Sequence, residues 1–553
     1  MKKLNRYMLA VVALFTTVSA YSQTPDDKAI IDAMKQEMMR NKENLKLPKS
    51  PNPYFLSYAL NRSRQFNVTA VLGSITSSND RPWAMNGTVR LQLGDYHRNS
   101  DPFYHGQFGR VGMPADANPQ MIQYGFWTFS DMLYKAALKN YAAKVAIRRS
   151  NPLSPEEDAM DDFSKIEPIE RIVERKAEFN YNHSEWEKRV AELSEIFKDY
   201  PELMNSRVAM SGVEMSIYKT TTEGVVTIIP LSLITITAQA VVQDNNGYMF
   251  ADAWQVVAQT PDQLPSLEDM KKQVKKFAED LNNLRSVEPV TEYYAGPVLF
   301  EDGAALAIFT KNLLAQQNAL LAGRTRIDRP AAPTLEGRMG KKIIDSRLTV
   351  KNYSTLTKYN NTTLMGAYEI DAEGVVPAKE ITLVENGILR SMLNSRVPTL
   401  KNPVSTGSSR YVLSGSEIAF VTAPGTVHIS VSKGLKHDKM KKELIKAVKE
   451  EGLEYGYIVR KSAGLATKIY RVSAKDGSET QVGACTVAEV PLSKIKRLLA
   501  VSSKENIANM ILNQATLASV IYPSAILVDD VEINKTDAKK SPAPSLEIPL
   551  KRQ

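Results

Sequence analysis

The second half of the chain, from residue 291 onward, is a succession of short apolar segments separated by turn residues. Examples are MGAYEIDAEG, ITLVENGILRSML and KIYRVSAKDGSETQVG, which join β-branched or aromatic residues to Gly, Asn or Asp. Many short strands with only two or three helices between them favour a curved sheet or an open barrel. We therefore expect residues 291–535 to form a β-rich, α+β domain, followed by an extended polar tail over residues 536–553.

The first half mixes helix and strand patterns. Residues 26–44 have the apolar spacing of an amphipathic helix. Residues 54–95 predict two strands and then a third that is reached through a turn at Asn86-Gly87. Residues 129–149 predict another helix, whose start Ser130 or Thr128 would cap.

A hairpin and a further helix complete the first half. Residues 233–237 alternate in strand fashion, residues 244–247 (DNNG) reverse the chain and residues 248–257 return. Ser266 followed by Asp269 predicts the start of a helix with Met270, Val274, Phe277 and Leu281 on one face. We expect residues 23–290 to form an N-terminal α/β domain.

The N-terminus has the pattern of a secretory signal peptide. Lys2, Lys3 and Arg6 precede an apolar run over residues 7–15, and small residues follow at 20–22. The run is too short to cross a bilayer with any margin. We expect residues 1–22 to be removed near Ala20 to Ser22, and the mature chain to be periplasmic or secreted with no membrane span.

Charge and cysteine content add two limits. Cys485 is the only cysteine, so no internal disulfide can form and hydrophobic cores must hold the chain together. A net charge of +9 is mild for 553 residues, and the Lys-rich residues 436–449 have apolar residues at helical spacing. We interpret that stretch as a solvated helix face rather than a nucleic-acid patch, and expect no nucleic-acid partner.

The sequence lacks the patterns of a helical histidine pair for a metal, of a serine nucleophile and of a phosphate-binding loop. None of the five histidines has another histidine three to five residues away, and there is no G-x-S-x-G or G-x-x-x-x-G-K pattern. His97 and His105 share a loop with Asp95 and Asp101 and are the best pair of metal ligands, although no third ligand is indicated. We interpret Cys485 as a buried structural thiol in a strand.

The stretch GPVLFEDGAALAIF, residues 296–309, predicts a short strand that runs into a small-residue helix, with Glu301 and Asp302 at the junction. It is followed in order by TGSSRY at 406–411, DGSETQVGACTV and PSAILVDDVEI. With these segments the chain resembles the TldD/PmbA (TldE) family, whose members are described as modulators of DNA gyrase and classed as metallopeptidases. An export signal argues against a role at gyrase for this chain.

The resemblance implies what the junction should contain. Active members carry H-E-x-x-x-H at the start of this helix, where two histidines hold zinc and the glutamate activates water. The glutamate falls on Glu301, but the histidine positions fall on Phe300 and Ala305, which offer no lone pair. The family's cysteine ligand has no counterpart in residues 503–520, and Cys485 lies a strand too early. Glu301 is therefore the one candidate catalytic residue, and no metal or cofactor is expected in this chain. Capping of the helix is the role that we expect by default for Glu301.

The family also implies a partner. TldE-type members lack the motif and pair with a TldD-type subunit that holds the zinc, in a heterodimer that binds extended, unfolded peptides. We therefore expect a non-catalytic, TldE-like subunit of a periplasmic peptidase complex that binds and degrades or processes such peptides. Two alternatives stay open at this point: a metallopeptidase with a relocated metal site at His97 and His105, and a homodimeric peptide-binding protein.

Overall fold

The structure is a computed structural model. It describes residues 25–553 except 102–107, 114–115, 117, 175–178, 316–319, 325–334, 414–417, 462–465, 467, 513–515, 545–548 and 550–553. The predicted signal peptide over residues 1–22 lies outside the described residues. Among the helices that are described, none combines the length and the apolar character needed to cross a membrane.

The first half alternates helices with long strands. In order, these are α1 (Pro25–Asn44), β1 (Phe55–Val71), β2 (Ser74–Asp80), β3 (Ala84–Gln92), β4 (Phe108–Met113), α2 (Pro119–Ser150), α3 (Pro155–Asp158), β5 (Ile169–Ile172), α4 (His183–Glu195), β6 (Met204–Thr221), β7 (Val225–Gln243), β8 (Met249–Ala258) and α5 (Leu267–Asn282).

The second half consists mainly of shorter strands. In order, these elements are β9 (Glu288–Pro289), β10 (Tyr294–Asp302), α6 (Gly303–Phe309), β11 (Leu348–Tyr353), β12 (Lys358–Tyr359), β13 (Thr362–Thr363), β14 (Glu380–Glu385), β15 (Ile388–Leu389), β16 (Ser409–Tyr411), β17 (Phe420–Thr422), β18 (Thr426–Val431), α7 (His437–Glu450), β19 (Tyr455–Lys461), β20 (Lys468–Ser473), β21 (Glu479–Gly483), β22 (Cys485–Val487), β23 (Ala500–Val501), β24 (Glu505–Leu512), β25 (Thr516–Pro523) and β26 (Ala525–Lys535).

One sheet organises the first half. Its strand order is β4-β3-β1-β6-β7-β5, with β2 paired to β1 and β8 paired to β7, and only the β5–β7 pair is parallel. The helices α1, α2, α4 and α5 cover one face, because each presents an apolar stripe to it. In α5 that stripe is Met270, Val274, Phe277 and Leu281, as predicted.

Two further sheets enclose the largest hydrophobic cluster of the second half. One has the order β22-β26-β10-β19-β20-β21-β9 with β23 beside β26, and the other has the order β15-β14-β11-β18-β25-β24. Residues of both sheets and of α6 meet in that cluster. The helix α7 packs on the opposite face of the β10 sheet through Met440, Leu444 and Val448.

The two halves meet through the other face of the first sheet. Met215, Ile217 and Ile229 from that sheet pack against Ile370 and Leu413 of the second half in one apolar cluster. The chain is thus an α+β protein with a curved, half-barrel sheet, which confirms the predicted fold class. The domain boundary at residue 290 stays a prediction.

Several local predictions are confirmed. The hairpin predicted at residues 233–257 is the β7–β8 pair, in register from Ile234↔Ala258 to Gln243↔Met249. The hydroxyl of Ser266 caps α5 by accepting the backbone N–H of Asp269 at 3.2 Å. The stretch at 296–309 is a strand followed by a helix, as its apolar and small residues predicted.

The predicted turn at Asn86-Gly87 is wrong, because these residues lie inside β3. The register places Gly87 opposite Leu60 of β1 and Val111 of β4. A Cβ on Gly87 would lie 2.5 Å from Met113 Cε, so the glycine makes room for packing against β4 rather than reversing the chain.

Two other predictions are corrected. The helix predicted at 129–149 begins at Pro119, where the side chain of Asn118 accepts the first backbone N–H groups, and Ser130 instead lies buried 2.7 Å from the hydroxyl of Tyr58. The segment at 365–374 (MGAYEIDAEG) is a loop rather than a strand. Asp371 Oδ1 accepts the N–H groups of Glu373 at 2.8 Å and Val375 at 2.9 Å, which holds the chain in a turn.

Candidate functional site

The candidate site is the junction at which β10 ends and α6 begins. Asp302, the last residue of β10, has φ 51° and ψ −125°, a conformation that costs a non-glycine residue about 1–3 kcal/mol. Two contacts hold it there. Its N–H donates to the carbonyl of Ser524 at 2.8 Å, and its Oδ1 accepts from Asn506 Nδ2 at 2.9 Å.

The carboxylate of Glu301 is neutralised by an arginine. Glu301 is 6% exposed, and its Oε2 accepts a hydrogen bond from Arg460 Nε at 2.5 Å. Arg460 also donates to Glu479 Oε2 at 2.6 Å. Burial alone would lower the pKa of Arg460, but its hydrogen bonds to Glu479 and Glu301 raise that pKa above the ordinary value. The guanidinium of Arg460 therefore stays positively charged and is the counter-charge of the buried Glu301 carboxylate.

One histidine also lies near this carboxylate. His437, the first residue of α7, has its Nε2 3.9 Å from Glu301 Oε1 and its Nδ1 2.9 Å from Ser524 Oγ. Ser524 is fully buried and shares a second hydrogen bond with Ser502. A hydroxyl without solvent access does not reach a substrate, so these contacts join α7 to the junction and do not form a nucleophilic triad.

The two positions that the resemblance assigns to zinc-binding histidines are filled with apolar packing. Phe300 is 4% exposed and Ala305 is fully buried, and both belong to the large cluster of the second half. Successive strand residues point to opposite faces, so Phe300 lies on the face away from Glu301. Leu299, which shares the face of Glu301, packs against Met440 and Leu444 of α7.

The residues present do not fit a zinc ion. A phenyl ring and a methyl group donate no electron pair, and the remaining carboxylate is already paired with Arg460. Among the described residues, no group of three or more His, Cys, Asp and Glu side chains is arranged to hold a metal. The junction is a strand that runs into a helix, where the carboxylate of Glu301 is neutralised by Arg460 and that of Asp302 accepts from Asn506.

The default role predicted for Glu301, capping of α6, is wrong. The residue at the cap position is Asp302, and its side chain makes no capping hydrogen bond. Glu301 still belongs to β10, opposite Ala525 of β26 and Arg460 of β19. Its side chain therefore points across the strand towards Arg460 rather than along the helix axis.

The relocated metal site is tested only in part, since His105 lies outside the described residues. His97 is exposed and its Nδ1 lies 3.2 Å from Asp161 Oδ1. Asp95 accepts the N–H of Arg98, and Asp101 is buried in an ion pair with Arg90 at 2.8 Å. Neither aspartate is arranged beside His97 as a ligand, so this site stays a prediction.

Cys485 lies in the short strand β22, as predicted, but the residue is partly exposed rather than buried. Burial raises the pKa of its thiol to about 11. The thiol is therefore protonated at neutral pH, which makes it a poor nucleophile and a poor metal ligand.

The strand β24 lies next to the junction and was not predicted from the sequence, where residues 503–520 were considered only as the place of a cysteine ligand. Among the described strands β24 pairs with β25 alone, so one of its hydrogen-bonding edges has no described partner. The side chain of Asn506 connects the start of β24 to Asp302. Glu505, the first residue of β24, accepts from Tyr359 Oη at 2.6 Å and lies 2.7 Å from His428 Nε2. The sequence of β24, ENIANMIL, does not alternate polar and apolar residues, so it carried no period-2 signal of a strand.

Comparisons with known proteins agree on one family. Residues 294–535 match the family model described as the PmbA/TldA metallopeptidase C-terminal domain. Over 67 residues the chain is 43% identical to a protein named "Metalloprotease" from Methanothermobacter thermautotrophicus, and that match spans 12% of this chain and 13% of the relative.

Solved structures of similar fold cover nearly the whole chain. A putative modulator of a DNA gyrase from Thermotoga maritima has a TM-score of 0.56 at 16% identity, over 91% of this chain and 99% of that one. TldE from Thermococcus kodakarensis has a TM-score of 0.56 at 13% identity, over 91% and 100%. A putative modulator of DNA gyrase from Bacteroides thetaiotaomicron has a TM-score of 0.54 at 12% identity, over 93% and 99%.

These likenesses at low identity show the fold, and the family model assigns the C-terminal half. Residues 294–535 therefore belong to the PmbA/TldA metallopeptidase C-terminal domain family, and the chain has the fold of these solved structures.

Proposed function

We propose that this chain is a non-catalytic, TldE-like subunit of an exported TldD/TldE-type metallopeptidase complex, which binds and degrades or processes unfolded peptides. The observation that carries the proposal is the state of the junction. Phe300 and Ala305 pack into a hydrophobic core, and Arg460 neutralises the carboxylate of Glu301. A glutamate paired in this way is not free to take a proton from water.

A partner follows from the same observation. A chain with this fold and with no metal site among its described residues needs a second, homologous chain to supply zinc if peptides are to be cut. The likeness in fold to TldE from Thermococcus kodakarensis supports a place among the subunits of that type. The proposed partner is a TldD-type subunit that carries the intact motif and the zinc.

The edge of β24 is the proposed place for an extended peptide. A peptide can add to an unpaired strand edge through its main-chain groups, so binding needs no particular side-chain sequence. Ile507, Met510 and Ile511 give this edge half-buried apolar residues. Since Asn506 connects β24 to Asp302, a peptide along this strand would lie next to the junction.

The compartment is proposed from the N-terminus. The cations and the apolar run over residues 1–15 have the pattern of a secretory signal. Export would place the complex in the periplasm or outside the cell, where unfolded and damaged proteins supply extended peptides. A partner subunit would then carry an export signal of its own.

The test is reconstitution with the native partner. The chain is purified from its own cells with any co-exported subunit, and hydrolysis of an unfolded, fluorescein-labelled casein is measured for the pair and for each chain alone. We expect activity only in the pair, with chelator sensitivity, and no change in activity when this chain carries Glu301→Gln. Activity of this chain alone, lost in Glu301→Gln, would refute the non-catalytic assignment.

A separate variant tests whether a peptide adds as a strand to the edge of β24. Ile507→Lys places a charge on the β24 edge, where lysine opposes strand pairing, and Ile507→Val is the matched control. We expect a rise in the Michaelis constant for labelled casein with Ile507→Lys and none with Ile507→Val. Equal values for the two variants would remove β24 from the proposal.

A further inference from the structure

A cavity of about 400 Å³ lies between the two halves of the chain. Its size falls within the range of about 300–1,000 Å³ found for ligand pockets. The walls are largely apolar, and they come from β7 on one side and from the second half on the other: Ile229, Leu231, Leu364, Met365, Ile370 and Leu413. Thr357 and Lys358 also line the cavity and are exposed, so it opens to solvent beside them.

Arg410 stands in the wall of this cavity and is 9% exposed. Its guanidinium stacks on the ring of Tyr368, with 3.9 Å from Cζ to the ring centroid. Nη1 donates to the carbonyls of Gly366 at 3.1 Å and Pro424 at 3.3 Å, and Nη2 donates to that of Leu517 at 3.4 Å. These three acceptors are neutral, and no carboxylate of the described residues forms an ion pair with Arg410.

The other buried arginines of the described chain are paired with carboxylates. Arg90 lies 2.8 Å from Asp101 Oδ2 and 3.1 Å from Glu373 Oε1, and Arg396 lies 2.7 Å from Glu223 Oε1. A buried charge without a counter-charge is costly, and arginine does not shed its proton to avoid that cost. Arg90 and Arg396 therefore each have a negatively charged partner, whereas Arg410 has none among the described residues. An anionic ligand would supply that partner.

Glu174 and Glu369 line the cavity, where Glu369 pairs with Arg171 at 2.6 Å, and the charge of Asp371 acts on Arg410 without forming an ion pair with it. Asp371 uses Oδ1 for the N–H groups of Glu373 and Val375 and Oδ2 for the N–H of Ser409 at 3.1 Å, so backbone groups hold both of its oxygens. Burial, together with the charge of Glu373, raises the pKa of Asp371 to about 7.

We propose that this cavity binds the carboxylate of an apolar carboxylic acid on Arg410, with the hydrocarbon body against Ile229, Ile370 and Leu413. Arginine presents N–H groups in a planar fork that matches a carboxylate, and its stacking on Tyr368 fixes the orientation of that fork. The ligand that we assign is the C-terminal end of a peptide with an apolar last residue. That assignment rests on the proposed peptide binding, whereas the carboxylate subsite does not.

Calorimetric titration of the whole chain tests the subsite. Three probes are used: an N-acetylated tripeptide ending in leucine as the free acid, the same tripeptide as the C-terminal amide, and octanoate. We expect the free acid to bind at least about tenfold more tightly than the amide, because a hydrogen-bonded charge is lost in the amide. Arg410→Met should reduce binding of the acid to the level of the amide, and Arg207→Met, an exposed arginine outside the cavity, should leave it unchanged.

Each result of these titrations supports or overturns either the carboxylate subsite or the peptide assignment. Equal binding of acid and amide, no binding of any probe, or unchanged binding in Arg410→Met overturns the subsite. Binding of octanoate through Arg410 without binding of the peptide acid keeps the subsite and overturns the peptide assignment. If Arg410→Met does not fold, the comparison of acid and amide on the unaltered chain still gives the answer. None of these results depends on a zinc-bearing partner, so failure of the proposed function is seen separately.

Discussion

Arg460 at the β10–α6 junction and Arg410 at the cavity wall are both set into the folded chain, but they face different partners. Arg460 lies between two carboxylates, at 2.5 Å from Glu301 and 2.6 Å from Glu479. Arg410 faces three backbone carbonyls and an aromatic ring. The comparison teaches that a site is closed when its charges are satisfied inside the protein, and is able to take a ligand when one charge is not.

The strongest challenge to the closed junction is to restore the two histidines. In Phe300→His with Ala305→His, both imidazoles would enter a dry apolar cluster, so we expect a loss of about 4 kcal/mol in the free energy of unfolding. We also expect no stoichiometric zinc. Urea denaturation and elemental analysis measure the two, with Phe300→Leu as an apolar control. A variant that binds about one zinc per chain at unaltered stability would show that the junction still has the geometry of a metal site.

The pairing of Arg460 is tested by removing the cation alone. Arg460→Met leaves the buried carboxylate of Glu301 without its counter-charge, and we expect a loss of about 2 kcal/mol. Adding Glu301→Gln in the same chain should recover part of the lost free energy of unfolding, because the neutral amide needs no cation. A strictly additive double-mutant cycle would mean that the two side chains do not interact.

Lys219 sharpens the comparison, because it is a buried cation that can lose its proton. Burial lowers the pKa of Lys219 to about 8, against the charges of Glu373 and Asp371. The folded state then binds fewer protons than the unfolded state between pH 8 and 10.5, so this group adds stability as pH rises through that window and loses it as pH falls. We expect Lys219→Met to be more stable than the parent at pH 7, with the gain shrinking as pH rises towards 10.5. Urea denaturation across this range would contradict the account if the gain were independent of pH.

The smallest change is expected at Arg410. In Arg410→Met three carbonyls lose a donor, while a desolvated charge without a carboxylate is removed, and the two effects offset to within about 0.5 kcal/mol. The matched control is Arg396→Met, which leaves Glu223 buried without its cation. If urea denaturation gives the two variants the same large loss, Arg410 has a structural anion that we have not identified, and the ligand subsite loses its basis.

Local sequence signals predicted the elements whose structure is decided locally. The turn at residues 244–247, the Ser266 cap and the strand–helix stretch at 296–309 were confirmed. The sequence also shows Phe300 and Ala305 where the resemblance implies histidines, while the absence of zinc from this chain stays a prediction. In each of these short segments, residues that are close in sequence make the contacts that determine the local structure.

The rest depends on contacts between distant residues. Arg460 is 159 residues from Glu301, so no local pattern announces their ion pair. Gly87 appeared to mark a turn because its real reason, contact with Met113 of β4, lies across the sheet. The segment at 365–374 had strand-like residues, but Asp371 holds it as a loop that reaches both Ser409 and the cavity. Arg410 stood in the quoted TGSSRY segment, yet only the folded chain shows that none of the described carboxylates forms an ion pair with it.

The most direct test of the central claim is the metal content of the chain alone. The untagged chain beginning at residue 23 is dialysed against zinc, freed of excess metal and measured by elemental analysis beside the Glu301→Gln variant. We predict near-zero zinc in both, because Phe300 and Ala305 offer no ligand and Arg460 already pairs with Glu301. About one zinc per chain, lost in Glu301→Gln, would contradict the account and identify this chain as a peptidase in its own right.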